Sequence, residues 1–258
     1  MKKLMFGMVA AAAMVAGADV ESSNIVGYLD QEMTYSMGYN FIIPTFTDVN
    51  SATATYNLDN VQVVNGDGSG MTEAIIGYTS DATLSGDEYY WNTAADTFAG
   101  PEEDCWVNGV MGDQKVTSVT LPLGTGLYLY LGTEGASVRY AGQVCQDNVT
   151  TDLTLGYNMV GNATPVALDL NAIKLTGADG SGMTEAIIGY TSDATLSGDE
   201  YYWNTAADTF AGPEEDCWVN GVMGDEKVTG VTIQPGQGFF LYIGTEGAKM
   251  VLPAAIKK

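Results

Sequence analysis

Leu127-Tyr128-Leu129-Tyr130-Leu131 alternates with the two-residue period of a β-strand, whose successive side chains point to opposite faces. The three leucines share one face and the two tyrosines the other. Phe239-Phe240-Leu241-Tyr242-Ile243 repeats the arrangement, with Phe239, Leu241 and Ile243 opposite Phe240 and Tyr242. Both faces are apolar or aromatic, so each stretch is expected to lie centrally in a sheet covered on both sides.

Working outward, Gly124-Thr125-Gly126 turns the chain into the first of these strands. Asn24 to Leu29, Phe41 to Ile43 before Pro44, Glu88 to Trp91, Thr97-Phe98, Cys105 to Val107 and the β-branched run from Lys115 to Leu121 read as further strands. Met71 to Tyr78 is two helical turns or a strand, being too short for periodicity to decide. Short strands with Gly-rich turns spaced about 8 to 12 residues apart, and no amphipathic pattern of helical length, predict an all-β chain built as a sandwich or small barrel.

This architecture is expected twice. The 47 residues from Asp67 to Asp113 return unchanged as Asp179 to Asp225. The copies are 112 residues apart there but 118 apart between Gly38-Tyr39-Asn40 and Gly156-Tyr157-Asn158, so a length-tolerant surface loop is expected within 44–57. Beyond the block, 11 of 25 positions differ between 114–138 and 226–250. Folding alone does not demand full identity, because surface positions tolerate change. Recent exchange between the copies is the simpler cause, and selection for two identical contact surfaces is its functional rival. The expected division is a signal segment over 1–18 and repeat domains over 19–142 and 143–258.

The signal is read from Lys2 and Lys3, the apolar run from Leu4 to Ala16 and the small-x-small site at Ala16-Gly17-Ala18. Secretion to the exterior or the cell surface follows, with no membrane span expected. Removing Lys2 and Lys3 leaves seven basic residues against 32 acidic ones. Such a charge repels nucleic acid and anionic lipid, and salt or divalent cations relieve its self-repulsion. Three cysteines in an exported chain leave two readings open: three free thiols, or a bridge from Cys145 to Cys105 or Cys217 with one thiol over.

Asn24-Ile25-Val26-Gly27-Tyr28, Gly156-Tyr157-Asn158-Met159-Val160, Glu88-Tyr89-Tyr90-Trp91-Asn92 and Pro235-Gly236-Gln237-Gly238-Phe239-Phe240 resemble signposts of uncharacterised secreted tandem β-domain proteins of Verrucomicrobia and related bacteria. The resemblance covers both repeats and implies an exported β-rich protein, with no catalytic residue to carry over. The first repeat departs from the last signpost, having Leu123-Gly124-Thr125-Gly126-Leu127-Tyr128 there.

A chain with no histidine excludes Ser-His-Asp and Cys-His catalysis and His-based metal sites. With 32 acids to draw on, finding a carboxylate pair says nothing of a glycosidase, and the chain is read as a non-enzyme that requires no cofactor. Calcium is the metal to consider, since it takes about six to eight oxygen ligands. Candidates are Asp67, Asp87, Glu88, Asp96, Glu102, Glu103 and Asp104, with Asp179, Asp199, Glu200, Asp208, Glu214, Glu215 and Asp216 in the second copy. An EF-hand opening at Asn65, Asp67, Ser69 and Gly70 fails at Ile76, where a glutamate belongs. A solvated acidic face is the plainer reading. Tyr90, Trp91, Tyr202 and Trp203 are the candidate contacts for a partner or glycan, against the alternative that such rings fill the core. Asn148-Val149-Thr150 and Asn162-Ala163-Thr164 match the glycosylation pattern.

Together these features point to a secreted structural or adhesive building block: a filament, surface-layer or matrix subunit. Its expected partner is itself, as a head-to-tail polymer. Strand addition by Asn24 to Leu29 to a neighbour's sheet is one route. The alternative is a pair of carbohydrate-binding modules with a glycan partner, calcium-dependent or not.

Overall fold

A computed structural model describes residues 25–31, 33, 37–48, 54–68, 73–78, 87–95, 101–108, 114–117, 119–180, 184–190, 199–207, 213–220 and 226–256. The signal segment, Asp96, Asp208 and the Thr97-Phe98 strand lie outside the described residues. The fold is all-β, with no α-helix among the described residues. The first half carries β1 (Val26–Gln31), β2 (Gly38–Ile42), β3 (Thr55–Asn57), β4 (Val61–Val64), β5 (Glu73–Tyr78), β6 (Asp87–Asn92), β7 (Cys105–Asn108), β8 (Thr120–Pro122), β9 (Leu127–Leu131) and β10 (Ser137–Gln143). The second carries β11 (Val149–Asp152), β12 (Gly156–Gly161), β13 (Leu168–Asp169), β14 (Lys174–Thr176), β15 (Glu185–Tyr190), β16 (Asp199–Asn204), β17 (Cys217–Asn220), β18 (Thr232–Ile233), β19 (Gly238–Ile243) and β20 (Lys249–Leu252).

Sheet order is β1-β10-β4, β2-β9-β5-β6-β7 and β3-β8 in the first half, and the same with every label raised by ten in the second. All pairings between these strands are antiparallel, and no sheet closes into a barrel, so the architecture is that of a β-sandwich. Glu73–Tyr78, ambiguous by period, becomes a strand because β9 and β6 pair with it on either side.

Alternation decides which residues reach the core. Leu127, Leu129 and Leu131 are buried with Trp91 and Trp106 on the inner face of the five-stranded sheet, while Val61, Val63, Val138 and Tyr140 are buried in the three-stranded one. The Trp106 indole N–H donates to the Val61 carbonyl at 2.7 Å, and Trp218 repeats this to Ile173 at 2.9 Å, tying the two layers together. Both bonds lie in the core, where leaving an indole N–H without an acceptor costs about 1–3 kcal/mol.

The expectation of a sheet covered on both sides is corrected. Tyr128 and Tyr130 are half-buried and Tyr242 is exposed, because the outer face of β9 and β19 is covered only near the junction of the halves. Within 44–57, Pro44 to Thr47 are buried and Thr47 exchanges main-chain hydrogen bonds with Gln143 at 2.8 and 2.9 Å, which confines the expected surface loop to the residues after Thr47. Of the expected surface loop, 49–53 lies outside the described residues. β1, the strand expected to add to a neighbour's sheet, is paired along all six residues with β10 of its own chain and stands at the edge of the three-stranded sheet.

The halves meet through equivalent residues. Ile42 bridges Gln237 and its counterpart Val160 bridges Thr125, the counterpart of Gln237. The Gln31 amide donates to the Gly236 carbonyl at 3.2 Å, and at the matching place Thr151 donates to the Leu123 carbonyl at 2.9 Å. Gly124 and Gly236 have φ of 89° and 73°, and a Cβ there would collide with Thr151 or Gln31, so both conformation and space call for glycine. Phe41 stacks on Phe240 at 5.7 Å across the junction. One hydrophobic core runs through both halves. The contact is isologous, the geometry of a two-fold, so the halves of one chain do not stack head to tail.

Candidate functional site

On the outer face of the five-stranded sheet, antiparallel register places Tyr39, Tyr130, Ala74, Tyr90 and Val107 directly opposite one another across five strands. Tyr157, Tyr242, Ala186, Tyr202 and Val219 form the same row in the second half. Exposure is concentrated at one end. Tyr39 is 54% and Tyr157 58% exposed, whereas Ala74 and Val107 are buried and Tyr90 and Tyr202 half-buried. The exposed tyrosines are paired: Tyr39 lies 5.1 Å from Tyr130, and Tyr157 lies 5.3 Å from Tyr242, edge toward face. Met37 and Leu155, at matching positions just before the paired strands, are exposed too and extend each patch.

Trp91 and Trp203, expected as contacts, are core residues. They sit on the inner face at 4% and 1% exposure, each edge-to-face with Trp106 or Trp218 at 5.3 Å. Tyr90 and Tyr202 do lie on the outer face, one residue out of phase with those tryptophans. The exposed members Tyr39 and Tyr157 were missed in the sequence. Their signal was present, since Tyr39 and Phe41 alternate with Asn40 and Ile42.

Of the acidic candidates, the structure describes the side chains of Asp67, Glu102, Glu103, Asp104, Asp179, Glu214, Glu215 and Asp216. Among the described residues no three His, Cys, Asp or Glu side chains gather in a group able to hold a metal. Asp87, Glu88, Asp199 and Glu200 belong to strands β6 and β16, not to turns. At Asp67 the main chain is engaged internally: its N–H donates to the Thr133 hydroxyl at 3.1 Å and its carbonyl accepts from Thr93 at 3.2 Å. Asp179 is held the same way by Thr245 and Thr205. Glu102 to Asp104 and Glu214 to Asp216 are exposed bends folded around an amide. The Asn92 side chain donates to the carbonyls of Pro101 and Glu103 at 2.8 and 2.9 Å, and Asn204 does so to Pro213 and Glu215 at the same distances. The Asn92 and Asn204 amides thus close the inner side of each acidic bend. Glu103 and Glu215 pair with Lys115 and Lys227 at the surface, while Asp104 and Asp216 accept from the N–H of Ala94 and Ala206.

One acid of each block is not at the surface at all. Glu73 and Glu185 are fully buried, each accepting from a glycine N–H at 2.9 Å, Gly68 or Gly180, and from a threonine hydroxyl, Thr133 or Thr245, at 2.5 or 2.6 Å. These carboxylates hold the turn before β5 against the turn after β9.

Cys105, Cys145 and Cys217 are all free thiols, so the bridge weighed for Cys145 does not form in this fold. Burial first, and the Glu103 or Glu215 carboxylate next, pushes the Cys105 and Cys217 thiols up. Asn162 of the second glycosylation pattern is buried, its amide donating to the Val166 and Ile233 carbonyls, whereas Asn148 is exposed. No helix among the described residues is long and apolar enough to cross a membrane.

The chain matches no family model, no curated protein and no solved structure.

Proposed function

We propose that the chain is a secreted structural building block that works by contact, without catalysis, and assembles through its two tyrosine patches. The observation that carries this reading is the apolar patch present once per half: exposed Met37 and Tyr39 beside half-buried Tyr130, and exposed Leu155, Tyr157 and Tyr242. Each patch is small. Two per chain, fixed relative to one another by the isologous junction, make the molecule bivalent, and bivalent units that pair patch to patch grow as open chains when both patches cannot meet the same neighbour. A formal charge of −23 opposes such association, so assembly rises with ionic strength.

The second reading, a glycan-binding pair, draws on the same rings, because exposed tyrosine faces stack on sugars. Negative-stain microscopy of the secreted protein tests the first reading. Filaments from the unaltered chain and none from Tyr39→Ser/Tyr157→Ser support it. Absence of filaments at all salt concentrations, with sedimentation on an insoluble polysaccharide that needs the two tyrosines, favours the second.

A further inference from the structure

Gln62 on β4 and Lys174 on β14 occupy equivalent positions outside the duplicated block, and each neighbours a tryptophan that lies inside it. In the second half Lys174 reaches over Trp203, its Nζ 5.6 Å from the ring centroid, and donates to the main-chain carbonyl of Asp216 at 2.7 Å. The ring quadrupole attracts the ammonium, and the carbonyl takes one of its three protons. In the first half the same place is a cavity of about 270 Å3, lined by Trp91, Asp104, Gln62, Asn65 and Arg139 among others. The Gln62 side chain is exposed and carries no charge.

The walls that Lys174 uses are duplicated without change. The tryptophan pairs are 5.3 Å apart in both halves, and the Asp104 and Asp216 bends are closed by the same N–H bond, at 2.8 Å from Ala94 and 2.9 Å from Ala206. The cation already on the rim is engaged elsewhere. Arg139 donates to both oxygens of Asp30 at 2.6 and 2.9 Å, with its guanidinium 5.4 Å from the Tyr28 ring. The second half therefore carries its own occupant, and the first half has the receptacle without it.

We propose that this cavity binds a primary alkylammonium group, which stacks on Trp91 and donates to the Asp104 carbonyl as Lys174 does on Trp203 and Asp216. The strongly acidic chain concentrates cations around such a site. The group belongs either to a free amine or to a lysine side chain of another protein. The tyrosine patches play no part, so this proposal stands or falls apart from the assembly reading.

The test follows the tryptophan indole N–H signals by two-dimensional NMR of the full secreted chain. Probes are butylammonium, Nα-acetyl-lysine amide and, as the uncharged isostere, n-butanol. In the unaltered protein one indole signal shifts saturably with butylammonium and not with n-butanol. Binding of the lysine amide as well assigns the site to lysine side chains, and its failure beside a binding butylammonium assigns it to free amines. Gln62→Lys fills the cavity and abolishes the shift. Lys174→Gln opens the second cavity, so a second indole signal shifts; this variant decides the matter even if Gln62→Lys disturbs folding. A shift that survives Gln62→Lys in a folded protein, an equal response to n-butanol, or no second signal in Lys174→Gln overturns the proposal.

Discussion

The two halves of this molecule have the same strands in the same order, and the duplicated block gives them the same internal bonds to within a tenth of an ångström, as at Asn92 and Asn204. Outside the block they part. Tyr56 and Tyr140, buried 6.5 Å apart in the first core, stand where the second has Leu168 and Leu252. The Tyr28, Asp30 and Arg139 cluster of the first half is replaced by Asn148, Thr150 and Val251. Local geometry thus resides in the copied segment, and the flanking strands decide how polar each core is and what occupies each surface hollow.

The largest effect should test whether the halves are energetically one body. Trp106→Ala and Trp218→Ala each remove a fully buried ring and a cross-layer hydrogen bond, costing about 3–5 kcal/mol. Because one core runs through both halves, each variant should show a single calorimetric transition, displaced alike. Two separated transitions, with only one moved by each substitution, would mean that the halves unfold independently.

A smaller effect distinguishes the two cores by pH. The Tyr140 hydroxyl is buried without a partner, and burial pushes its phenol far up. Tyr56 is raised as well, by burial first and then by Tyr140 and Asp48. In the unfolded chain both ionise near an ordinary phenol value of about 10, while in the fold they stay neutral. The unfolded state loses protons first, so stability is intact below pH of about 10 and falls as the pH rises beyond it. Tyr56→Phe/Tyr140→Phe should remove much of that alkaline loss and add about 1 kcal/mol at neutral pH by relieving an unpaired hydroxyl. An unchanged alkaline limb in urea titrations of the double variant would contradict the assignment.

The smallest effect is chemical. Cys105 and Cys217 are buried with raised thiols, and Cys145 is half-buried, its thiol 3.4 Å from the Asp147 carbonyl. Iodoacetamide on the folded protein should label Cys145 first, then Cys105 and Cys217 at matched slow rates. Unequal rates for the matched pair would show that the copied segments open differently.

Much of the fold was legible because its strands alternate cleanly. Leu127, Leu129 and Leu131 declare an inner face, and the repeated text declares a second copy. Tyr128 and Tyr130 misled because an aromatic face on a strand reads as covered, whereas only tertiary contact distinguishes a ring against Phe240 from one facing solvent. Trp91 was misplaced for a related reason: alternation puts it on the face opposite Tyr90, but not which face is inside. Acidic turns suggest calcium because local sequence shows the carboxylates, whereas the bonds from the Asn92 amide to the Pro101 and Glu103 carbonyls belong to tertiary structure and are not legible in it. The Lys174 and Gln62 difference was visible in the sequence, yet it acquires meaning only when register sets each residue beside a tryptophan.

Sedimentation velocity across a range of concentrations at moderate salt tests the two-patch account most directly. The unaltered chain should associate without limit, Tyr39→Ser or Tyr157→Ser alone should stop at dimers, and the double substitution should leave monomers. A chain that remains monomeric throughout, or a double variant that associates like the unaltered protein, would contradict it.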